Sequence, residues 1–240
     1  MSHEFRTPIS AIHSLSGLPL DRVDGSLNDE QDKQDKQDKQ VSFIESTAEE
    51  FAGMVNDLLD LAKVEAGRVE ISPAWFEMVD LFSALRGMFR PVLTNQEVTL
   101  VFEDPQQSSR LFTDDKKLSQ ILRNFISNAL KFTLKGEVRV SARENTDGSI
   151  TFAVTDSGIG IDPNFHSVIF TDFTQVDSPI RKRLRGTGLG LSLSKQLAEW
   201  LGGRAGLQSE LGAGSTFSAT IPLRMNAGNA PEPDKPPAND

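Results

Sequence analysis

The chain has 240 residues, of which 38% are hydrophobic and 25% are charged, an ordinary composition for a globular protein that can bury a core. It contains no cysteine, which excludes disulfides, thiolate metal sites and thiol nucleophiles. The net charge of −9 argues against nucleic acid as a partner, because nucleic-acid-binding proteins need basic surface to displace counterions from phosphates.

The sequence has no membrane-spanning or secretory pattern. No apolar run approaches the roughly 18 residues that a membrane helix requires, and the first residues lack the apolar core of a secretory signal. The lack of cysteine also favours a reducing compartment. We therefore expect a cytoplasmic location without direct membrane contact, in a parent protein that could itself be membrane-anchored.

The first part of the chain is predicted to form a helical hairpin. Residues 41–62 have apolar side chains at alternating spacings of three and four, a heptad pattern typical of a long helix packed against other helices. A shorter helix is predicted for residues 3–16. One hairpin buries such a seam by pairing with a second copy, so a homodimeric four-helix bundle is predicted. The heptad positions are Val41, Ile44, Ala48, Phe51, Val55, Leu58 and Ala62.

The pattern changes to mixed strands and helices after the hairpin. Strands are predicted where apolar residues alternate, and Asp147-Gly148 predicts a hairpin turn between two of them. Amphipathic helices are predicted at 115–132 and 191–201, the second ended by glycines. The predicted strands are 97–103, 137–142, 149–155 and 215–222.

These elements predict an α+β fold class. A helical hairpin would be followed by an α/β sandwich, with helices on one face of a single mixed sheet. The predicted boundaries are residues 1–67 for the hairpin, 68–224 for the sandwich domain and 225–240 for a flexible, Pro-rich tail that has too few apolar residues to order itself.

His3 is predicted to lie on the exposed face of the first helix. At about 100° per residue, the apolar stripe of this helix lies about 180–240° from His3, whereas Thr7 lies only about 40° away. Glu4 follows His3 directly, and its carboxylate could accept a proton from one ring nitrogen while the other attacks phosphorus. A surface histidine beside a glutamate is by itself common and needs no role.

Two asparagines and a lysine share one face of the helix predicted at 115–132. Asn124 and Asn128 are four residues apart, and Lys131 lies one turn beyond. Amide oxygens and an ammonium group on one face could hold a hard cation and the phosphates that it bridges, since Mg²⁺ prefers oxygen ligands shared with a substrate. Two asparagines alone are more often solvated or capping residues.

Two glycine runs follow, at 156–160 and 186–190. Glycine lets the backbone approach a ligand closely, and a glycine turn at a helix N-terminus directs N–H groups at phosphate. The second run does not match the dinucleotide fingerprint, because its three glycines alternate. Asp156 ends a predicted strand just before the first run, where it could accept a hydrogen bond from an exocyclic amine; a turn-forming aspartate is an equally good interpretation of this position alone.

The segment between the glycine runs lacks an apolar period. It contains Phe170-Thr171-Asp172-Phe173 and then a basic cluster at 181–185. Segments of this length are either disordered or lids over a site. The flanking glycines and the cations favour a nucleotide lid over a solvated loop.

Five segments, in this order, resemble the sequence boxes of sensor histidine kinases. Ser2-His3-Glu4-Phe5-Arg6-Thr7-Pro8 is similar to their H box, 124–128 to their N box, 156–160 and 186–190 to their two glycine boxes, and 170–173 to their F box. The resemblance covers the chain up to Leu223. It implies a dimerisation and phosphotransfer hairpin followed by an ATP-binding domain of the type that gyrase, Hsp90 and MutL share.

The resemblance also implies roles for individual residues. His3 would be the phosphoacceptor, with Glu4 and Thr7 as further catalytic residues. ATP would be the substrate with Mg²⁺ held by Asn124, and Asp156 would recognise adenine. The other nucleotide-binding residues implied are Asn128, Lys131, Gly158, Gly160, Phe170, Phe173, Arg185, Gly186, Thr187, Gly188, Leu189, Gly190 and Thr216.

The partners implied are a second copy of the chain and the receiver domain of a response regulator, whose aspartate takes the phosphoryl group. Family members with residues placed as Glu4 and Thr7 often also dephosphorylate that receiver. We expect the chain to be a fragment that an upstream sensor precedes, and the Pro-rich tail is compatible with a linker to a receiver, as in a hybrid kinase.

Some features depart from the family pattern and leave two alternatives open. Thr171 stands where the F box commonly has an acidic residue, and Pro19 interrupts the first helix early. One alternative is a degenerate kinase that only dimerises and sequesters a partner. The other is an ATPase clamp of the Hsp90 or MutL kind, which would need neither His3 nor the heptad seam.

Overall fold

The chain divides into two compact units, and the second consists of Glu70–Leu184 and Leu191–Asp240. The computed structural model describes residues 70–93, 95–104, 110–174 and 188–225, together with four residues before Val69, all of them helical: Ala48, Val55, Leu58 and Leu59. These helical positions agree with the predicted helix at 41–62. The rest of the hairpin, the helix at 3–16, the dimeric bundle and the tail after Met225 lie outside the described residues.

The second unit is built on a five-stranded mixed sheet with the order β2-β4-β5-β7-β6. β2 pairs with β4 in parallel, and the other pairs are antiparallel. The central strand β5 therefore lies between β4 and β7. The five strands are β2 (Val98–Phe102), β4 (Gly136–Glu144), β5 (Ser149–Asp156), β6 (Arg204–Glu210) and β7 (Gly214–Pro222).

A second, two-stranded sheet pairs β1 (Ala74–Glu77) with β3 (Arg110–Thr113). Residues after β7 extend it, because the Met225 N–H donates to the Phe112 carbonyl at 2.8 Å. The centroid of the Trp75 ring lies 5.3 Å from that of the Phe112 ring. The guanidinium carbons of Arg110 and Arg224 lie 5.3 and 5.8 Å from the Trp75 centroid. The expectation of a single sheet thus missed a small sheet beside the main one.

Three helices cover one face of the main sheet. They are α1 (Met78–Phe89), α2 (Asp115–Phe132) and α3 (Gly190–Trp200). Phe82 of α1 packs edge-on against Phe152 of β5, and Phe125 of α2 stacks on Phe217 of β7 at 5.6 Å. The residues of β5 that face these helices are buried, and those between them are less so. This alternation defines a helix-covered face and an open face of the sheet.

α2 has a clear amphipathic pattern and a capped start. Its buried residues recur at spacings of three and four, which places them on one stripe. The Asp114 carboxylate accepts the Lys117 backbone N–H at 3.0 Å and the Ser72 backbone N–H at 2.9 Å, so it caps the helix and holds the segment before β1. The buried stripe consists of Leu118, Ile121, Leu122, Phe125, Ile126 and Ala129.

The predicted elements of this unit are confirmed. The predicted helix at 115–132 has the same bounds as α2, and the strands at 97–103, 137–142, 149–155 and 215–222 correspond to β2, β4, β5 and β7. The helix at 191–201 corresponds to α3, shifted by one residue. β1, α1, β3 and β6 were not predicted. Within the described part of the chain, none of the helices is both long and apolar enough for a membrane span.

Candidate functional site

Asp156 ends the central strand β5 on the helix-covered face of the sheet. Only 7% of the residue is exposed. Its carboxylate accepts the Gly158 backbone N–H at 2.8 Å and a further bond from the Ser215 backbone N–H. Burial raises the pKa of this carboxyl above its ordinary value, and the two N–H bonds oppose that rise without cancelling it. Asp156 is thus a buried, oriented hydrogen-bond acceptor.

The first glycine run is packed tightly against the rest of the domain. A Cβ on Gly158 would collide with the carbonyl oxygen of Phe132, the last residue of α2. Gly160 has φ +66°, and a Cβ there would collide with the carbonyl oxygen of Glu210 at the end of β6. The close approach that these two glycines permit is therefore to the chain's own backbone, and it fixes the turn that holds Asp156.

A polar network continues from this turn to the start of β7. Ser209 accepts the Ile161 N–H at 2.8 Å, and its hydroxyl lies 2.9 Å from that of Ser215. Ser215 pairs directly with Asp156 in the sheet register. These bonds tie β6 and β7 to the turn after β5.

The polar edge of α2 brings Asn124, Asn128 and Lys131 together, as their spacing predicts. All three are half-buried. The Asn124 side-chain Nδ2 donates to the hydroxyl of Ser194 in α3 at 3.1 Å. The Lys131 ammonium lies 5.6 Å from the centroid of the Phe132 ring. Since Gly158 packs against the last turn of α2, this edge leads towards the turn that holds Asp156.

This edge also has the right chemistry for a magnesium ion shared with phosphate. In the described part of the chain, no cluster of three or more His, Cys, Asp or Glu side chains could hold a metal. The candidate protein ligands along this edge are amide oxygens, a donor type that Mg²⁺ accepts when phosphates and water complete its coordination. The donor set fits a metal that arrives with a substrate rather than a permanent metal site.

The two phenylalanines of the segment after β5 differ in their surroundings. The Phe170 ring meets the Phe217 ring edge-on at 6.4 Å, and Phe217 stacks on Phe125, the residue after Asn124. Phe173 has φ +58°, a strained backbone conformation for a residue with a side chain. The basic cluster that follows lies outside the described residues.

Thr216 lies on the open face of the sheet. Its hydroxyl is 3.0 Å from the hydroxyl of Thr155, its direct partner in the register. Side chains alternate between the faces of a strand, so Thr216 points away from the face that carries Asp156. The implied nucleotide contact of Thr216 is therefore not supported by this geometry, and Ser215 takes the place beside Asp156.

The second glycine run is described in part. Gly188 has φ +70°, Leu189 is 2% exposed, and Gly190 is the first residue of α3. The predicted turn at a helix N-terminus is thus present from Gly188 onward. Arg185, Gly186 and Thr187 lie outside the described residues, as do His3, Glu4 and Thr7.

Sequence reasoning missed two serines at this site. Ser194 and Ser215 are 0% and 7% exposed, and both contact residues that were predicted. Ser194 could have been noticed as a hydroxyl on the buried stripe of α3 beside Leu193 and Leu197. A small polar residue on an apolar stripe needs a hydrogen-bond partner, and here the partner is Asn124.

Two family models match the chain. Residues 1–67 match the model described as His Kinase A (phospho-acceptor) domain. Residues 113–225 match the model described as histidine kinase-, DNA gyrase B- and HSP90-like ATPase. The second match begins at the end of β3 and contains all the candidate residues from Asn124 to Thr216.

Similar proteins are longer than this chain. The autoinducer 2 sensor kinase/phosphatase LuxQ of Vibrio harveyi is 35% identical over 230 residues, which are 93% of this chain and 26% of LuxQ. The circadian input-output histidine kinase CikA of Synechococcus elongatus is 35% identical over 226 residues, 92% of this chain and 29% of CikA. The crystal structure of full-length ShkA with AMPPNP has a TM-score of 0.69 and 28% identity, and the match covers 95% of this chain and 45% of ShkA.

Proposed function

Because this chain belongs to the sensor histidine kinases, we propose that it binds ATP with Mg²⁺, phosphorylates His3 and passes the phosphoryl group to an aspartate of a receiver domain. The observation that carries this proposal is the oriented Asp156 carboxylate within the ATPase match, in a chain whose first 67 residues match a phospho-acceptor domain. The proposed organisation is residues 1–67 for the dimeric phosphotransfer hairpin and 68–224 for the catalytic domain.

Asp156 is proposed to recognise the adenine base. Its two N–H bonds hold the carboxylate in place, and the exocyclic amine of adenine would supply a third donor. Adenine recognition by a buried acceptor is selective, because a base without that amine would leave the carboxylate short of a donor. The AMPPNP bound to ShkA supports a nucleotide of this kind.

The polar edge of α2 is proposed to hold the phosphate end. Magnesium, when bound with ATP, neutralises charge on the phosphates as the reaction proceeds. The Asn124 amide would supply an oxygen ligand, and Asn128 and Lys131 would bind phosphate oxygens. The N–H groups at the start of α3, from Gly188 to Gly190, would add donors at a helix N-terminus.

The transfer itself is proposed to be an in-line displacement at His3. A bond forms between an imidazole nitrogen and the γ-phosphorus while the bond from that phosphorus to the ADP oxygen breaks. Glu4 accepts the proton from the other ring nitrogen. The carboxylate of a receiver aspartate then attacks the phosphorus, and the His3 nitrogen leaves.

An ATP-labelling assay on the full chain tests this function. His3→Gln should abolish acid-labile, base-stable phosphate on the protein while ATP binding is kept. Asn124→Asp should reduce both. His13→Gln is the matched control, because His13 has no acidic neighbour and should keep normal labelling. Acid-stable phosphate on the wild type, or steady ATP turnover that His3→Gln leaves intact, would instead favour a serine/threonine kinase or an ATPase clamp.

A receiver phosphatase activity is proposed as a second function of the same hairpin. LuxQ is named a kinase/phosphatase, and Glu4 and Thr7 stand in this chain as they do in family members with both activities. Thr7→Ala should keep His3 phosphorylation and slow the dephosphorylation of a phosphorylated receiver. Equal dephosphorylation by wild type and variant would argue against it.

A further inference from the structure

The Asn124 amide is held by a hydrogen bond from a neighbouring helix. Its Nδ2 donates to the Ser194 hydroxyl at 3.1 Å. Ser194 is 0% exposed, whereas Asn124 is half-buried at the polar edge of α2. This contact joins α2 to α3, the helix that follows the second glycine run.

The direction of this bond matters because the two ends of an amide are chemically opposite. One end is an NH₂ donor and the other is a carbonyl acceptor, and rotation by half a turn about the last side-chain torsion exchanges them. A cation accepts only the oxygen end. Whatever holds the NH₂ end therefore decides whether an asparagine can serve as a metal ligand.

A buried serine on a helix is suited to hold the NH₂ end. Its hydroxyl commonly donates to a carbonyl in the preceding turn of its own helix, which leaves a lone pair to accept from another group. Ser194 accepts in this way from Asn124. Nδ2 then faces α3, and Oδ1 is turned away from it.

We propose that Ser194 is a positioning residue that orients the Asn124 amide so that its oxygen, and not its NH₂ group, faces the magnesium ion of the bound nucleotide. The proposal rests on the proposed function, since it concerns the metal-binding end of the same site. It gives α3 a role in metal binding that is separate from the N–H groups at its start.

The proposal predicts a loss that depends on metal. Ser194→Ala removes the acceptor, so the amide can turn its NH₂ group towards the cation. Nucleotide affinity in the presence of Mg²⁺ should fall by about threefold to tenfold, the range for one net hydrogen bond. Affinity in excess chelator should stay within about twofold of the wild type, because the adenine end is unchanged.

Two further substitutions separate orientation from packing. Ser194→Thr keeps the hydroxyl, and valine has nearly the same shape as threonine but no hydroxyl. Any cost of the larger side chain is therefore common to both variants. The threonine variant should keep the Mg²⁺ dependence that the valine variant loses. Ser192→Ala is the control for loss of a buried hydroxyl, because Ser192 is 2% exposed in the same helix.

The measurement is a titration of the full chain with a fluorescent, non-hydrolysable ATP analogue, in excess EDTA and at rising Mg²⁺, with circular dichroism confirming that each variant is folded. Asn124→Ala completes a double-mutant cycle, in which adding Ser194→Ala should cause no further loss. A Ser194→Ala effect that is absent, equal in EDTA and Mg²⁺, or retained in the Asn124→Ala background would overturn the proposal. A wild type that binds no nucleotide would instead overturn the proposed function itself.

Discussion

The two ends of the candidate site, the turn around Asp156 that is proposed to bind adenine and the polar edge of α2 that is proposed to bind phosphate, are built in different ways. At the adenine end, the turn after β5 is fixed by backbone packing, and a Cβ on Gly158 or Gly160 would collide with a carbonyl oxygen. At the phosphate end, half-buried side chains line one edge of α2, and the bond from Asn124 to Ser194 joins this edge to α3. The first end is part of the fold, and the second is a set of side chains placed on it.

Because of this difference, we expect substitutions at the two ends to have different effects on the free energy of unfolding and on nucleotide affinity. Substitutions in the adenine-end turn disturb the packing of β5, β6 and α2, so we expect them to lower both the free energy of unfolding and nucleotide affinity. Substitutions at the polar edge of α2 remove ligand contacts without creating cavities, so we expect them to lower affinity alone. The variants below test this separation, in order of decreasing expected effect.

Gly160→Ala should be the most damaging change. A side chain at φ +66° is strained, and its Cβ would overlap the Glu210 carbonyl oxygen, so we expect a loss of about 3–5 kcal/mol in the free energy of unfolding. Gly148→Ala is the matched control, because Gly148 has φ +79° but nothing lies within 4 Å of its added Cβ. It should cost only about 1 kcal/mol. Urea unfolding of both variants measures the difference, and equal losses would refute the packing argument.

Asp156→Asn should separate the chemistry of the adenine end from its packing. The shape is kept, but the amide presents an NH₂ group where the adenine amine needs an acceptor. We expect nucleotide affinity to fall about 100-fold, the upper range for an unsatisfied buried group. The free energy of unfolding at neutral pH should not decrease, because a desolvated charge is removed. Calorimetric titration with an ATP analogue measures the affinity.

The raised pKa of Asp156 predicts opposite pH trends for stability and binding. The folded pKa lies above the unfolded one, so the native state binds the proton more tightly. The contribution of this group to stability is therefore greatest below the unfolded pKa and falls as pH rises through the folded pKa. The proposed adenine contact needs the ionised carboxylate, so nucleotide affinity should instead fall as pH is lowered through the same window.

Unfolding and binding curves of wild type and Asp156→Asn across this range isolate the contribution of the carboxyl group. The free energy of unfolding of the wild type, relative to that of the variant, should decline as pH rises. The wild type should lose nucleotide affinity as pH is lowered, and the variant should not. Parallel pH profiles for the two proteins would show that Asp156 does not titrate there.

Lys131→Met should have the smallest effect and act on binding only. We expect a loss of about fivefold to tenfold in affinity for the Mg²⁺-nucleotide. The loss is small because the ammonium group is half-exposed, so water can take over part of its contact with phosphate. The free energy of unfolding should change by less than about 0.5 kcal/mol. Lys135→Met is the charge-matched control, since Lys135 is exposed and pairs with Glu97 at 3.6 Å. An affinity loss as large for Lys135→Met would mean that only net charge matters.

The sequence predicts elements with long patterns better than short ones. α2 has 18 residues, a capping aspartate and a full apolar stripe, and its bounds were predicted correctly. β1 and β3 have four residues each, too few for an alternation to stand out. They also pair with one another across an intervening helix and strand, a long-range contact that no local pattern contains.

At the candidate site, the sequence predicts residue types better than it predicts what they touch. The spacing of Asn124, Asn128 and Lys131 correctly placed them on one helix edge, because helix geometry is local. The glycines of the first run are expected to approach a ligand, and the structure adds contacts that the sequence does not show, with the backbone of Phe132 and Glu210. The alternation of apolar residues along β7 indicates which face Thr216 takes, but only the pairing of β7 with β5 shows that Ser215, and not Thr216, lies beside Asp156.

The positions of the two tryptophans make the intrinsic fluorescence of the protein a local probe of its structure. The chain has two tryptophans and no tyrosine, so emission excited at the long-wavelength edge of tryptophan absorption comes from Trp75 and Trp200 alone. Trp75 lies beside Phe112 and two arginines in the small sheet, whereas Trp200 is the last residue of α3. Replacing Trp75 by phenylalanine would leave Trp200 as the single tryptophan, at the end of α3, the helix whose Ser194 bonds Asn124, and its emission would report on α3 without any added dye.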